Sequence, residues 1–303
     1  MHTSPRKKYV GILLALLAVL IWSGNFIVAR GIIHQVKPVT LAFYRWGSAS
    51  LMLLPFALAQ FKKEWPVTQK HLPYLFGVSL FGIALFNTFV YVAGHYTTAI
   101  NLALIGTTAS PIMIIIMAAF FLKERIDLFK TTGVVLCVAG VLFLLAKGDW
   151  HNLVGFRFTK GDQWVLLGAF CFAVYNIMVR KMPGGFSALN FLFVIFAMGA
   201  LLLLPFYIWE VLYSPPVQWT GNLVLTVLYL GLGTSVIGYL CWNFAIKTLG
   251  AGRTALFSNL IPVFASVEAV FFLQETFSWV HVVSMVLVFA GILLANRKIF
   301  VGE

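Results

Sequence analysis

Long apolar runs separated by short polar connections make up nearly the whole 303-residue chain. A helix needs about 20 mostly apolar residues to cross the hydrocarbon core of a membrane, and ten runs reach or approach that length. We therefore predict an all-α integral membrane protein. Its ten transmembrane helices are predicted at residues 9–29, 39–61, 72–93, 97–122, 130–147, 161–181, 187–209, 220–246, 251–273 and 279–296.

The composition agrees with this prediction. Hydrophobic residues make up 61% of the chain and charged residues only 10%, and the mean hydropathy is +0.96. A soluble domain carries about 25% charged residues, so the solvent of this chain is a lipid bilayer. A net charge of +12 would suggest nucleic acid in a soluble protein. Here the basic residues lie in the short connections, so we expect no nucleic-acid partner.

The distribution of Lys and Arg predicts the orientation in the membrane. With the N-terminus inside, fifteen of the 21 basic residues fall in inner segments, and five fall in outer loops. We therefore expect a multi-pass protein of the cytoplasmic (inner) membrane with both termini in the cytoplasm. The connection at 148–160 is the longest and runs against this bias.

A repeat with an offset of 151 residues divides the chain into two halves. The sequence F-F-L recurs at 120–122 and 271–273, and Ala139-Gly140 matches Ala290-Gly291. Other pairs at this offset are Asn25 with Asn176, Pro111 with Pro262 and Glu124 with Glu275. Each half, 1–150 and 151–303, holds five predicted spans. Because five is odd, the second half should run upside down, and such inverted repeats carry substrate sites near the midplane.

Two inverted five-helix halves, each with Pro, an apolar run and Glu at the end of its fourth helix, resemble the drug/metabolite transporter superfamily. The resemblance is to its EamA-type exporters, and the amino-acid exporters, including the aromatic amino-acid type, look most similar. It implies ten helices around a central cavity and export of small metabolites such as amino acids. Arg45-Trp46 has Phe196-Ala197 as its counterpart, so no two-fold role is carried over to Arg45.

The paired prolines are the predicted hinges. A proline inside a helix removes one hydrogen bond and clashes with the preceding turn. Pro111 and Pro262 would free the carbonyls of Thr107 and Ser258, which then need water, a hydroxyl or a neighbouring helix. The alternative is a static packing kink.

Polar and aromatic residues within the spans are candidates for a substrate cavity. Amide side chains away from water need partners, so they should face the interior of the bundle. The alternatives are hydrogen bonding between helices for the amides and interfacial belts for Tyr and Trp. The candidates are Trp22, Asn25, Asn87, Tyr91, His95, Asn101, Tyr175, Asn176, Tyr239, Trp242, Asn243, Ser258 and Asn259.

Two charged residues fall within predicted spans, where each is costly. Arg45 lies near the outer end of the second span. It could extend to the surface, hold a carboxylate or shape the outer mouth of the cavity. Glu268 in the ninth span could couple transport to protons, or it could be a structural acid that reaches the surface or is hydrogen-bonded. Glu124 and Glu275 end their spans and are expected to be structural, as hinges or caps.

Small residues recur in the fifth and tenth spans. Gly133 and Gly140 are seven residues apart and match Ser284 and Gly291, which allows close approach of two backbones. This face predicts either contact between those two helices or a homodimer.

The pattern as a whole predicts a secondary transporter that exports small metabolites, most readily amino acids, by alternating access. A multidrug exporter is the alternative, and a lipid-handling or adaptor role is a weaker one. Enzyme chemistry is disfavoured because no zinc-spaced His or Cys set and no phosphate-binding glycine loop occurs. A channel is also disfavoured, because it would be expected to show a ring of charged residues or a selectivity-filter motif, and the sequence contains neither. We expect no metal and no cofactor; the three cysteines lie in apolar runs and predict buried thiols.

Overall fold

The computed structural model describes residues 5–32, 35–97, 99–149, 151, 158–273 and 278–297. Side chains at 25–32, 99–104 and 269–273 lie outside that description. All regular secondary structure in the described residues is helical. The helices are α1 (Pro5–Ile32), α2 (Pro38–Lys63), α3 (Trp65–Lys70), α4 (Leu72–Ala93), α5 (Ala99–Leu122), α6 (Leu128–Leu145), α7 (Lys160–Arg180), α8 (Ala188–Leu212), α9 (Gly221–Leu249), α10 (Ala251–Ala255), α11 (Leu260–Leu273) and α12 (Trp279–Ala295).

Eight of these helices are long and apolar enough to cross a membrane: α1, α2 and α4 to α9. The predicted ninth span is divided into α10, a 3₁₀ turn at Leu256–Asn259 and α11. The predicted tenth span is α12, an apolar helix of 17 residues. Large apolar side chains cover the outside, where Phe120 is 79% exposed and Leu51 71% exposed. An outer surface of this kind requires lipid, which confirms the prediction of an all-helical membrane protein.

The packing pattern is the same in the two halves. Helix α1 packs against α9 and α11, and α7 packs against their counterparts α4 and α5. Helix α2 packs against α8, and α6 packs against α12. The helices of these pairs therefore meet the same set of neighbours as their counterparts in the other half.

Helices α4 and α9 both contain a π-helical segment, at Leu80–Leu85 and Leu230–Ile237. Both segments lie against small residues. A Cβ on Gly199 in α8 would lie 2.2 Å from Ile83 Cγ2, and one on Gly231 would lie 2.4 Å from Ser48 Oγ in α2. Such close approach is possible only without a side chain at these positions. Close tertiary contacts thus accompany both π segments, which the apolar pattern did not predict.

Helices α6 and α12 cross with their backbones in contact. A Cβ on Gly133 would lie 2.5 Å from the carbonyl oxygen of Gly291, and one on Gly291 would lie 2.5 Å from that of Gly133. Ser284 Oγ donates to the Gly140 carbonyl at 2.8 Å. The small-residue face is thus occupied within the chain. The homodimer predicted through this face consequently has no support from the structure.

The two paired prolines lie in different settings. Pro111 is inside the continuous helix α5, as predicted. Pro262 is the third residue of α11, which begins directly after the 3₁₀ turn. A proline in a first turn loses no helical hydrogen bond, because that N–H has no partner in any helix. Pro262 therefore begins a new helix instead of bending a continuous one.

Candidate functional site

Five aromatic side chains from three helices form a cluster in the interior. Trp22 comes from α1, Phe172 and Tyr175 from α7, and Tyr239 and Trp242 from α9. The ring of Trp22 lies 5.0 Å from that of Trp242 and 5.8 Å from that of Tyr239, centroid to centroid. The rings of Tyr175 and Tyr239 are 5.5 Å apart. Tilted and edge-to-face pairs at these distances attract each other beyond the area they bury.

Polar groups within this central cluster are bonded to one another. Trp242 Nε1 donates to Asn176 Oδ1 at 3.0 Å, and Asn176 Nδ2 donates to the Phe172 carbonyl at 2.7 Å. Tyr175 OH donates to Asn243 Oδ1 at 2.7 Å. Asn176, Tyr175 and Trp242 are each 0% exposed. In this conformation these candidates are packed together and closed to water.

Backbone carbonyls of the two π segments accept further bonds from the cluster. Trp22 Nε1 donates to the Thr234 carbonyl at 2.8 Å, and Tyr239 OH donates to the Gly82 carbonyl at 3.2 Å. π-Helical turns are frequent at functional sites. The residues 230–237 were not among the sequence candidates. The run G-L-G-T-S at 231–235, which interrupts an apolar span, was the available signal.

Arg45 lies beside this cluster and is only 3% exposed. Its Nε donates to Ser235 Oγ at 2.8 Å, and its Nη1 donates to Asn87 Oδ1 and to Tyr91 OH, each at 3.0 Å. The guanidinium carbon lies 4.8 Å from the centroid of the Trp46 ring. The alternative in which Arg45 extends to the outer surface is therefore wrong. Two sequence candidates, Asn87 and Tyr91, hold it in the interior.

Glu268 in α11 is bonded across to α1. Its Oε1 accepts from Ser23 Oγ at 2.7 Å. Its Oε2 is buried and has no hydrogen-bond partner among the described residues. Tyr229 lies nearby and donates to the Ile21 carbonyl at 2.7 Å. Ser23 and Tyr229 were not predicted from the sequence.

The remaining candidates lie apart from the cluster or outside the description. His95 is exposed in the turn after α4, because that helix ends at Ala93 and the spacing from Tyr91 is not continued. Ser258 and Asn259 are buried in the 3₁₀ turn and donate to the Ala255 and Leu256 carbonyls. The side chains of Asn25 and Asn101 lie outside the described residues.

Most of the described carboxylates accept hydrogen bonds from backbone amides at helix N-termini and so cap those helices. Glu64 accepts from Ser187 N at 3.0 Å at the start of α8, and Glu210 accepts from Thr40 N at 2.6 Å at the start of α2. Glu124, predicted to be a hinge or cap, accepts from Ala251 N at 3.0 Å at the start of α10 and pairs with Lys130 Nζ at 3.3 Å. Carboxylates are favourable there because of the orphan amides and the helix dipole.

Three further described carboxylates, those of Asp127, Asp162 and Asp149, are also hydrogen-bonded near helix ends. Asp127 caps α6 by accepting from Lys130 N at 2.8 Å, and Asp162 forms a capping box with Thr159 at the start of α7. Asp149 accepts from the backbone and ring of His151, and these hydrogen bonds hold the pKa of the Asp149 carboxyl below its usual value. Glu268 is thus the one described carboxylate in the interior of a span. Glu275 lies outside the described residues.

These features define a polytopic membrane protein. Its apolar helices form two similarly packed halves, and its buried polar side chains lie in the interior of the bundle. The family profile named "EamA-like transporter family" matches residues 9–146 and again 159–297. The chain therefore belongs to the EamA-like transporter family, which confirms the resemblance read from the repeat. Members of this family are transporters, so the chain is a transporter and not an enzyme.

Individual relatives are similar over nearly their whole length. An "Uncharacterized transporter" of Archaeoglobus fulgidus is 27% identical over 286 residues, covering 94% of this chain and 97% of that protein. A "Probable amino-acid metabolite efflux pump" of Escherichia coli is 25% identical over 289 residues and 92% of each chain. One solved crystal structure shares the fold with a TM-score of 0.77 at 21% identity, covering 97% of this chain and 98% of the other.

Proposed function

We propose that this transporter exports small metabolites, amino acids first among them, across the cytoplasmic membrane by alternating access. The observation that carries the proposal is the central cluster, where α1, α7 and α9 bring rings and neutral amides together, with Asn87 and Tyr91 of α4 beside it at Arg45. Neutral polar groups beside aromatic faces suit an amphipathic or zwitterionic solute better than a bare ion. The printed name of the Escherichia coli relative supports amino-acid metabolites as the solute class.

The architecture we propose has ten spans in two inverted five-helix halves, 1–150 and 151–303. Helix α12 and the interrupted α10–α11 segment complete the eight longer spans. Two features support the inversion: the predicted number of spans in each half is odd, and counterpart helices meet counterpart neighbours. The excess of Lys and Arg in alternate connections supports cytoplasmic N- and C-termini.

The movement we propose takes place in α5 and in the α10–α11 segment. The Pro111 position in α5 and the 3₁₀ turn before Pro262 are the hinges, because both leave the backbone with fewer helical hydrogen bonds. The α2–α8 pair is the static frame. Its two ends are fixed by Glu64 and Glu210, each of which caps the partner helix.

Glu268 is the proposed proton carrier. It is the described carboxylate within a span that caps no helix, and its buried Oε2 has no hydrogen-bond partner among the described residues. Ionisable groups in such positions mark proton pathways in membrane transporters. Proton uptake on one face and release on the other would let an outward solute flow be driven by the proton gradient.

A multidrug exporter is the second candidate, because the five clustered rings offer faces to an amphipathic cation. The two candidates predict different solutes. Purified protein in liposomes preloaded with unlabelled solute should take up labelled amino acids by counterflow without ATP. Drug cations should exchange weakly. Exchange of cations alone would favour the multidrug alternative, and no exchange of any member of the panel would reject the proposal.

A further inference from the structure

Among the described residues, no carboxylate pairs with the buried charge of Arg45. A guanidinium cannot lose its proton in a protein, so Arg45 remains a cation in the interior of the bundle. Its three acceptors are the hydroxyl of Ser235, the amide oxygen of Asn87 and the hydroxyl of Tyr91, and all of them are neutral. A buried cation of this kind is costly and normally has an anionic partner.

The described carboxylates all form hydrogen bonds with groups other than Arg45. Five of them cap helix N-termini, Asp149 bonds to His151, and Glu268 bonds to Ser23. The ion pairs in the described part of the chain are Lys130 with Glu124 and His151 with Asp149, and neither includes Arg45. The described residues therefore do not supply the anion that Arg45 would need.

Hydrogen-bond donors are also in excess around the guanidinium. Arg45 has five N–H donors, and the bonds from Nε and Nη1 use three of them. The Nη2 group has no acceptor among the described residues. Asn87 Nδ2 and Trp46 Nε1 are buried and have no acceptor among the described residues, and both residues touch Arg45. Buried donors are nearly always paired in native structures, so two buried donors without a described partner beside the guanidinium point to a missing acceptor.

We propose that Arg45 binds the carboxylate of the transported solute, with Asn87 Nδ2 and Trp46 Nε1 as further donors. A carboxylate supplies both the negative charge and the acceptor lone pairs that are lacking, and guanidinium binds it in a two-pronged geometry. The inference rests on the proposed export function and assigns it a solute class, organic carboxylates that include amino acids. Since Arg45 is covered in this conformation, the solute enters when a neighbouring helix moves.

The aromatic cluster begins next to this anion site. The Trp46 ring lies 5.4 Å from that of Tyr239, which in turn lies 5.8 Å from that of Trp22. A solute held at Arg45 by its carboxylate would therefore place its remaining atoms against ring faces. Solutes with an apolar side chain, such as phenylalanine or leucine, fit this arrangement better than small hydrophilic acids do.

The test is a set of competitors that share one ring and differ in the charged group. Labelled phenylalanine counterflow is measured in proteoliposomes of the full chain with phenylalanine, 3-phenylpropionate or phenylalanine amide as competitor. We expect wild type to be inhibited by both carboxylates and at least tenfold less by the amide. Arg45→Gln should lose at least tenfold in phenylalanine uptake and should no longer distinguish acid from amide.

A second variant keeps the arginine and supplies its counter-charge from within. Asn87→Asp has nearly the same shape as asparagine and places a carboxylate on Arg45 Nη1. It should fold with a satisfied arginine, yet it should weaken inhibition by 3-phenylpropionate at least tenfold and leave the amide unaffected. Arg180→Gln is the matched control: it removes an exposed arginine that donates to the Lys247 carbonyl at the end of α7. Its competitor preference should equal that of wild type.

The outcomes separate this inference from the function on which it rests. Wild-type counterflow with no preference for carboxylates would overturn the role of Arg45 and leave the exporter proposal intact. Wild-type preference retained in Arg45→Gln, or in Asn87→Asp where Arg45→Gln shows no uptake, would also overturn it. Absence of wild-type counterflow for every solute would overturn both. Loss of the preference in that same variant supports the carboxylate site.

Discussion

The contact between α6 and α12 allows the effect of a single methyl group to be worked out from the structure. In Gly133→Ala, the new Cβ would lie 2.5 Å from the Gly291 carbonyl oxygen and 2.7 Å from the Ala295 Cβ. An ordinary contact requires about 3.4 Å or more, so the two helices must separate by about 1 Å. Overpacking of this kind costs about 1–3 kcal/mol. Alanine regains up to about 1 kcal/mol of helix propensity over glycine.

The net prediction is a loss of about 1–2 kcal/mol of stability in Gly133→Ala and, by the reciprocal contact, in Gly291→Ala. The control is Gly47→Ala in α2, where the added Cβ has no atom within 4 Å. It should be neutral or slightly stabilising. Thermal unfolding of the purified proteins in one detergent measures the difference. Each kcal/mol moves Tm by about 2–4 °C in chains of 150–250 residues, so a fall of several degrees is expected.

The same variants test whether this contact lies within one chain. Size-exclusion chromatography with light scattering should give the same oligomeric state for wild type and Gly133→Ala. The double variant should cost less than the sum of the single ones, because both methyl groups disrupt one contact. Gly133→Ala as stable as Gly47→Ala, or a change in oligomeric state without a change in Tm, would refute the packing argument.

Three further predictions concern charge and movement. Glu64→Gln and Glu210→Gln should each lower stability by about 1 kcal/mol, as expected for a weakened cap, in the same unfolding assay; unchanged Tm in both would contradict the static frame. Glu268→Gln should abolish accumulation driven by a pH gradient but retain counterflow, and unaffected accumulation would exclude this acid as the proton carrier. Pro111→Ala and Pro262→Ala should slow counterflow at wild-type expression, and two fully active variants would reduce both prolines to packing.

The main features of the fold could be predicted because they depend on local sequence. An apolar run predicts a span because a helix satisfies the hydrogen bonds of its own backbone within the membrane. For α2 and α8, the predicted and observed helix boundaries agree within a few residues. The contact between the fifth and tenth spans was also predicted correctly from Gly133 and Gly291. The prediction left its partner open, however, because a small-residue face fits a second copy as well as a second helix.

The remaining features depend on tertiary contacts. The π segments form where Gly199 and Gly231 meet helices distant in sequence. Apolar periodicity carries no information about such contacts. The chemistry of proline alone predicted a kink at both Pro111 and Pro262. Around Pro262 the structure instead has a 3₁₀ turn followed by a new helix, and Pro262 lies in the first turn of that helix. The sequence prediction placed Arg45 near the outer mouth because it lies close to the end of its span. Distance along the chain cannot reveal the hydrogen-bond acceptors that α4 and α9 present to Arg45 in the interior.

The central claim is that the buried cluster is exposed to each side of the membrane in turn, and cysteine accessibility tests it most directly. Ser235 lies near the middle of α9 and is 0% exposed. Ser235→Cys would be placed in a background in which Cys137, Cys171 and Cys241 are alanine. An impermeant thiol reagent should modify it in intact cells and in inside-out vesicles, and transported solute should slow both reactions. Reaction from one face alone would contradict alternating access.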